Sequence, residues 1–95
     1  MDKKEAYEQK LEAQMDEWNA EIDKLRAKAN KTTAEARIEY DEQIKSLSEQ
    51  RDTVRQRLDE LKRSGAEAWE ELRDGLESAG KALNDSLKSA YDKVR

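Results

Sequence analysis

Apolar residues recur every three or four positions along almost the whole chain, and no proline interrupts them. The series runs Leu11, Met15, Trp18, Ile22, Leu25 and Ala29, then Ala36, Tyr40, Ile44 and Leu47. Past a polar step at Arg51 it continues through Val54, Leu58 and Leu61. After one gap it finishes with Leu72, Leu76, Ala79, Leu83, Leu87, Ala90 and Val94. Such spacing lays a narrow apolar stripe along one side of long helices, the pattern of a coiled coil or slender bundle. It defines an architecture and is almost silent on chemistry.

In a heptad frame Leu11, Trp18, Leu25 and Thr32 take one seam position, and Met15, Ile22, Ala29 and Ala36 take the other. The frame then slips by one residue, because Ile44 follows Ala36 by eight positions instead of seven. After the slip Tyr40, Leu47, Val54 and Leu61 form one side, and Ile44, Arg51 and Leu58 the other. A slip of this kind either unwinds a supercoil locally or marks a break. Thr32 with Glu35 three residues later has the form of a capping box, and Asn30 is able to end a helix. Yet no Gly or Pro lies nearby, and the stripe passes straight through Ala29, Thr32 and Ala36. The favoured reading is one helix over about residues 2–63, on the order of 90 Å long at about 1.5 Å per residue. The alternative is a three-helix bundle with a break near residues 30–33.

Ser64 and Gly65 are the strongest punctuation. Lys62 and Arg63 sit where a helix C-terminus favours cations, Gly65 is able to take a left-handed C-cap conformation, and acids follow at Glu67, Glu70 and Glu71. This predicts a turn at residues 64–65 and a last helix over about residues 66–94. That helix carries an eleven-residue repeat, WEELRDGLESA from Trp69 and GKALNDSLKSA from Gly80. Eleven residues in three turns keep a stripe nearly straight along a helix. The two helices flanking the turn should pack antiparallel. The fold class is therefore all-α, coiled-coil-like, with a long helix and a shorter antiparallel C-terminal helix in a single domain spanning residues 1–95.

Composition supports order over disorder. Ala, Glu, Lys, Leu and Arg supply 54 of the 95 residues, above the share of about half that marks long helices. Leu, Ile and Val number only 14, a level that in an unpatterned chain would signal disorder. Here the net charge is only −4 although 44% of residues are charged, and the large apolar residues keep register. The seam is thin, and one isolated helix carrying it would be marginal in water. The stripe needs another stripe, from this chain folding back or from a second copy.

The absence of His and Cys excludes a zinc site, a haem ligand, a thiol nucleophile and a Glu-x-x-His di-iron site. Gly65, Gly75 and Gly80 do not form a phosphate loop, and no acidic stretch has calcium-loop spacing. Acid pairs such as Asp16/Glu17 and Glu70/Glu71 read as solvated helix faces. No catalytic, cofactor-binding or metal-binding residue is assigned, and no cofactor is implied. Trp18 lies on the seam and reads as core. Trp69 flanks it and reads as core or staple, with a partner contact as the lesser alternative. Arg51 occupies a seam position with its stem along the seam and its charge in water. Gly75 and Gly80 suggest close approach of another helix.

Function narrows to two classes. The first is a non-enzymatic structural or interaction protein that self-associates, as a dimer or higher homo-oligomer, through a seam of Leu11, Met15, Trp18, Ile22, Leu25 and Ala29. If the last helix reaches back only to about Ala36, that seam has no partner within the chain. The second is an amphipathic helix that binds a lipid surface reversibly. Acidic residues oppose it: residues 69–79 carry four acids against Arg73 alone. Interleaved charge offers no basic stripe for nucleic acid. With no apolar leader and no apolar run near the roughly 20 residues of a membrane span, the expected location is the cytoplasm. The identity of any protein partner is not encoded in these features.

Tyr7, the run Leu11-Glu12-Ala13-Gln14, Trp18, Ile38-Glu39-Tyr40 and Ala68-Trp69 resemble small bacterial coiled-coil proteins of the stress-response kind, common in cyanobacteria. The resemblance extends over nearly the whole chain. It implies a cytosolic, non-enzymatic helical protein and transfers no functional residues.

Overall fold

The structure, a computed structural model, describes residues 2–93 and is all-α. Three helices follow one another: α1 (Lys3–Asn30), α2 (Ala34–Arg63) and α3 (Trp69–Lys93). Together they form an up-down-up bundle measuring 51 × 19 × 18 Å. The order of interhelix contacts gives the directions. Glu12 pairs with Lys62 and Asn19 with Arg51, so α1 and α2 are antiparallel. Gly75 meets Arg57 and Ser86 meets Gln50, so α2 and α3 are antiparallel as well. Tyr7 faces Trp69 and Trp18 faces Asn84, so α1 and α3 run in parallel.

The continuous helix over residues 2–63 is thus corrected in favour of the break. α1 ends at Asn30, with Lys31 as its C-cap, and α2 begins after Thr33. The N-cap is Thr33, whose side chain accepts from the Ala36 amide at 3.3 Å, so the capping box expected at Thr32 and Glu35 is replaced by a cap one residue later. The physical reason for the reversal is burial. A straight helix would leave the α1 stripe in water, whereas the three-residue turn sets it against α2 and α3. Reversal also explains the one-residue slip, because two separate helices have no common register to keep. The overall length is 51 Å, well below the roughly 90 Å a straight helix of that span would have.

The second turn spans residues 64–68, longer than expected, and α3 starts at Trp69 instead of about residue 66. Lys62 and Arg63 do occupy the last turn of α2. Gly65 does not act as a left-handed cap: no positive φ occurs among the described residues. Ser64 closes the helix instead, in extended conformation, with its amide and hydroxyl both donating to Leu61 O at 3.1 and 2.6 Å.

Burial follows heptads in all three helices. In α1 the buried residues are Tyr7, Leu11, Met15, Trp18, Ile22, Leu25 and Ala29. Leu47, Val54, Leu58 and Leu61 line α2, with Tyr40 and Ile44 packed partly against the core. In α3 the buried set is Trp69, Leu76, Gly80, Leu83, Leu87 and Ala90. This corrects the eleven-residue reading of the last helix. Leu72 is 37% exposed and Ala79 only partly covered, while Gly80 is inside. A helix wedged between two neighbours presents the 3.5-residue repeat typical of bundle packing. Val94, placed on the stripe by its spacing, lies outside the described residues.

Candidate interaction site

Leu11, Met15, Trp18, Ile22, Leu25 and Ala29 share one face of α1, as their spacing predicts, and none is more than 6% exposed. The expectation that this seam lacks a partner within the chain is corrected: α2 and α3 of the same chain cover it. Ile22 and Leu25 are fully buried, together with Leu47, Val54, Leu61, Leu76 and Leu83. No polar or charged residue is buried among the described residues.

Polar ties frame this apolar centre. Near its middle the Trp18 Nε1–H donates to Asn84 Oδ1 at 2.7 Å, which lets the indole be buried with its one donor satisfied. Gly80 stands beside it. A Cβ there would lie 3.4 Å from Trp18 Cη2, at ordinary contact distance, so the ring packs directly on this stretch of α3. The close approach expected at this glycine is therefore that of an indole. At Gly75 the neighbour is the Arg57 guanidinium, which donates to Gly75 O at 3.4 Å.

Toward the α1–α2 turn, the Tyr91 hydroxyl donates to Glu21 Oε2 at 2.5 Å, and Lys28 Nζ lies 5.1 Å from the centroid of the Tyr91 ring. Burial, then the bond to the Glu21 carboxylate, pushes the Tyr91 phenol up to about 12. Accepting that bond holds Glu21 below its ordinary value.

At the opposite end, Lys4 Nζ donates to Lys62 O at 3.0 Å and Ser64 O at 2.7 Å, placing a cation on the C-terminus of α2. The Lys62 ammonium pairs with Glu12, and this bond raises its pKa. Tyr7 and Trp69 pack with ring centroids 6.3 Å apart, and the Arg73 guanidinium lies 5.5 Å from the Trp69 ring. Trp69 is buried, as a core residue should be. The Tyr7 hydroxyl is buried with no hydrogen-bond partner, and burial foremost, with Glu77 adding, pushes it up to about 12. Arg51 is more covered than the expected placement with its charge in water: its side chain is 20% exposed. Its guanidinium reaches the edge of the core, bonding Asn19 Oδ1 at 3.1 Å and Asp52 Oδ1 at 3.2 Å.

These resolved shifts point away from neutrality: both tyrosines and Lys62 upward, Glu21 downward. Each group keeps its ordinary charge near pH 7. The acid pairs Asp16/Glu17 and Glu70/Glu71 are exposed, as solvated faces should be. No group of three or more acidic side chains able to hold a metal ion occurs among the described residues. The groove between α1 and α3, lined by Tyr7, Leu11, Leu76, Gly80 and Asn84, is about 190 Å³ and open to water.

Glu21, Asn84 and Tyr91 are not distinguished by the periodic pattern as partners of the seam, whereas Gly80 is legible as a point of close approach. A polar residue flanking a stripe looks like any other solvated position. Compared with known proteins, the chain matches no family model, no curated protein and no solved structure. No helix among the described residues is long and apolar enough to cross a membrane.

Proposed function

We propose that this chain is a non-enzymatic structural or interaction protein of the cytoplasm that acts by self-association. The observation that carries the reading is where the chemistry-bearing groups lie. The interior is apolar apart from the Tyr7 hydroxyl, and Glu21, Lys62 and Tyr91, whose pKa values are shifted, tie one helix to another. Among the described residues these groups lie apart along the bundle and do not converge on one point. The α1 face carries seven buried residues, more than α2 or α3, so association through it requires the bundle to open. A stress-related role enters the proposal only through the motifs around Tyr7, Trp18, Tyr40 and Trp69.

Lipid-surface binding by α3 is the weaker reading. Trp69, Leu76, Leu83 and Leu87 face the core, so a membrane would have to compete with α1 and α2 for them. Glu70, Glu71, Asp74 and Glu77 would meanwhile be repelled by anionic lipid. Light scattering on the full chain over a wide concentration range tests self-association, and a monomer mass throughout overturns it. Cosedimentation with vesicles containing phosphatidylserine tests the second reading. Salt-sensitive binding there would put surface attachment ahead.

A further inference from the structure

We propose that α1 exchanges between two copies of this chain: residues 31–33 straighten into helix, and each α1 docks on α2 and α3 of the other copy. This rests on the self-association reading and supplies its route. The occupant of the α2–α3 groove is already known in chemical detail, since it is α1 itself. Leu11, Trp18, Ile22 and Leu25 would meet the same residues on a second copy, and the Trp18–Asn84, Tyr91–Glu21 and Lys4–Ser64 bonds would form again there. Exchange then preserves the core, and the difference between closed and exchanged forms resides in the turn and the entropy of association.

The turn is suited to this. It is three residues long between helices of 28 and 30 residues. It contains neither Gly nor Pro, and no residue in it has a positive φ. Lys31 sits at φ −103°, ψ 0°, near the helical basin, and Thr33 at φ −67°, ψ 159°, so its φ is already helical and the rotation needed there is in ψ. The closed turn is held by the N-cap bond of 3.3 Å and by the Lys31 and Thr32 amides, which donate to Lys28 O at 3.1 Å and Ala29 O at 3.4 Å, short bonds of the kind that a continuing helix replaces. Joining the two helix ends pairs backbone groups that each end leaves without an intrahelical partner. Ala29, Thr32 and Ala36 continue the helical spacing across the junction, and Lys31 and Glu35 become neighbours one turn apart. The turn at residues 64–68 differs: it is longer, and Gly65 disfavours helix there.

Two variants move the balance in opposite directions. Ala34 is the first residue of α2, where proline is favoured, and Thr33 before it has the extended backbone a pre-proline residue adopts. Ala34→Pro therefore fits the closed bundle, while in a continuous helix its ring would collide with the carbonyl of Asn30. The double change Thr32→Ala with Thr33→Ala removes the cap and improves helix propensity. Each protein is refolded from denaturant at high concentration, then measured by light scattering and small-angle X-ray scattering.

The expected result is a wild-type dimer elongated by a helix of about 90 Å, a larger dimer fraction in the double variant, and monomer alone in Ala34→Pro. Circular dichroism of Ala34→Pro confirms that it folds. Its thermal midpoint should equal or exceed that of the wild-type monomer. A dimer that persists in Ala34→Pro overturns exchange and leaves self-association standing on another surface. Monomer in both wild type and the double variant overturns exchange and self-association together.

Discussion

Trp18 of α1 and Asn84 of α3 are joined by a 2.7 Å hydrogen bond between residues 66 positions apart. The bond satisfies the only polar side-chain atom of a buried indole, and the same indole lies against Gly80, the one buried glycine among the described residues. A large ring on α1 therefore meets both a hydrogen-bond acceptor and a small residue on α3. The parallel α1–α3 pairing thereby acquires a specific register that uniform leucine packing would not impose.

Trp18→Ala should cost far more than loss of the hydrogen bond alone. Removing a buried indole typically costs about 3–5 kcal/mol, and Trp18 is 4% exposed. Asn84→Ala, which removes the acceptor and leaves the packing, should cost about 0.5–1.5 kcal/mol. Urea unfolding followed by circular dichroism separates the two. Equal losses would mean that the hydrogen bond, not the packing, dominates.

Gly80→Ala should stabilise the bundle by up to about 1 kcal/mol, the helix-propensity difference between the two residues. The added Cβ would lie 3.4 Å from Trp18 Cη2, an ordinary contact distance. Gly75→Ala should act the same way, because its 3.3 Å neighbour is the movable tip of Arg57. A drop in thermal midpoint for Gly80→Ala would show that the indole has no freedom to adjust.

Tyr7→Phe should leave stability unchanged or raise it by about 1 kcal/mol, since it deletes a buried hydroxyl that has no partner. Tyr91→Phe, in contrast, should lower stability, because the Tyr91 hydroxyl donates to Glu21. A side-by-side denaturant titration checks the opposite signs.

Alkali should destabilise the bundle as the buried Tyr7 phenol and the half-buried Tyr91 phenol are forced to ionise. Tyr7 and Tyr91 are both raised to about 12 in the folded chain, against an ordinary value of about 10. Groups raised on folding contribute stability that is complete below the unfolded value and is lost as pH climbs through the folded one. The loss should therefore fall between about pH 10 and 12, with Lys62 acting in the same direction. Denaturant midpoints across that range should decline in the wild type and decline less in Tyr7→Phe combined with Tyr91→Phe. Identical slopes would show that the phenols do not carry the effect.

Much of the arrangement was legible in residue spacing alone. Helical periodicity marked the core residues of α1 one by one, from Leu11 to Ala29, and the frame of Leu47, Val54 and Leu61 for α2. The basic residues before Gly65 marked the reversal between α2 and α3. These features are local: a helix repeats every 3.6 residues whatever it packs against, so the face it must bury is written in its own residues.

The break at residues 31–33 was not decided locally. Straight helix and reversal are both compatible with Lys31-Thr32-Thr33, and the choice follows from whether the α1 stripe finds α2 and α3 in its own chain. The same holds for α3, whose eleven-residue repeat allows more than one face. Packing between two neighbours selected Trp69, Leu76, Leu83 and Ala90, and left Leu72 partly in water. Gly80 and Asn84 gained their roles because Trp18 arrived opposite them. Spacing along the chain dictated that amphipathic helices would form and, for α1 and most of α2, which residues each would hide. What those residues hide against came from the assembled bundle, because burial is a property of pairs of surfaces and periodicity describes one surface at a time.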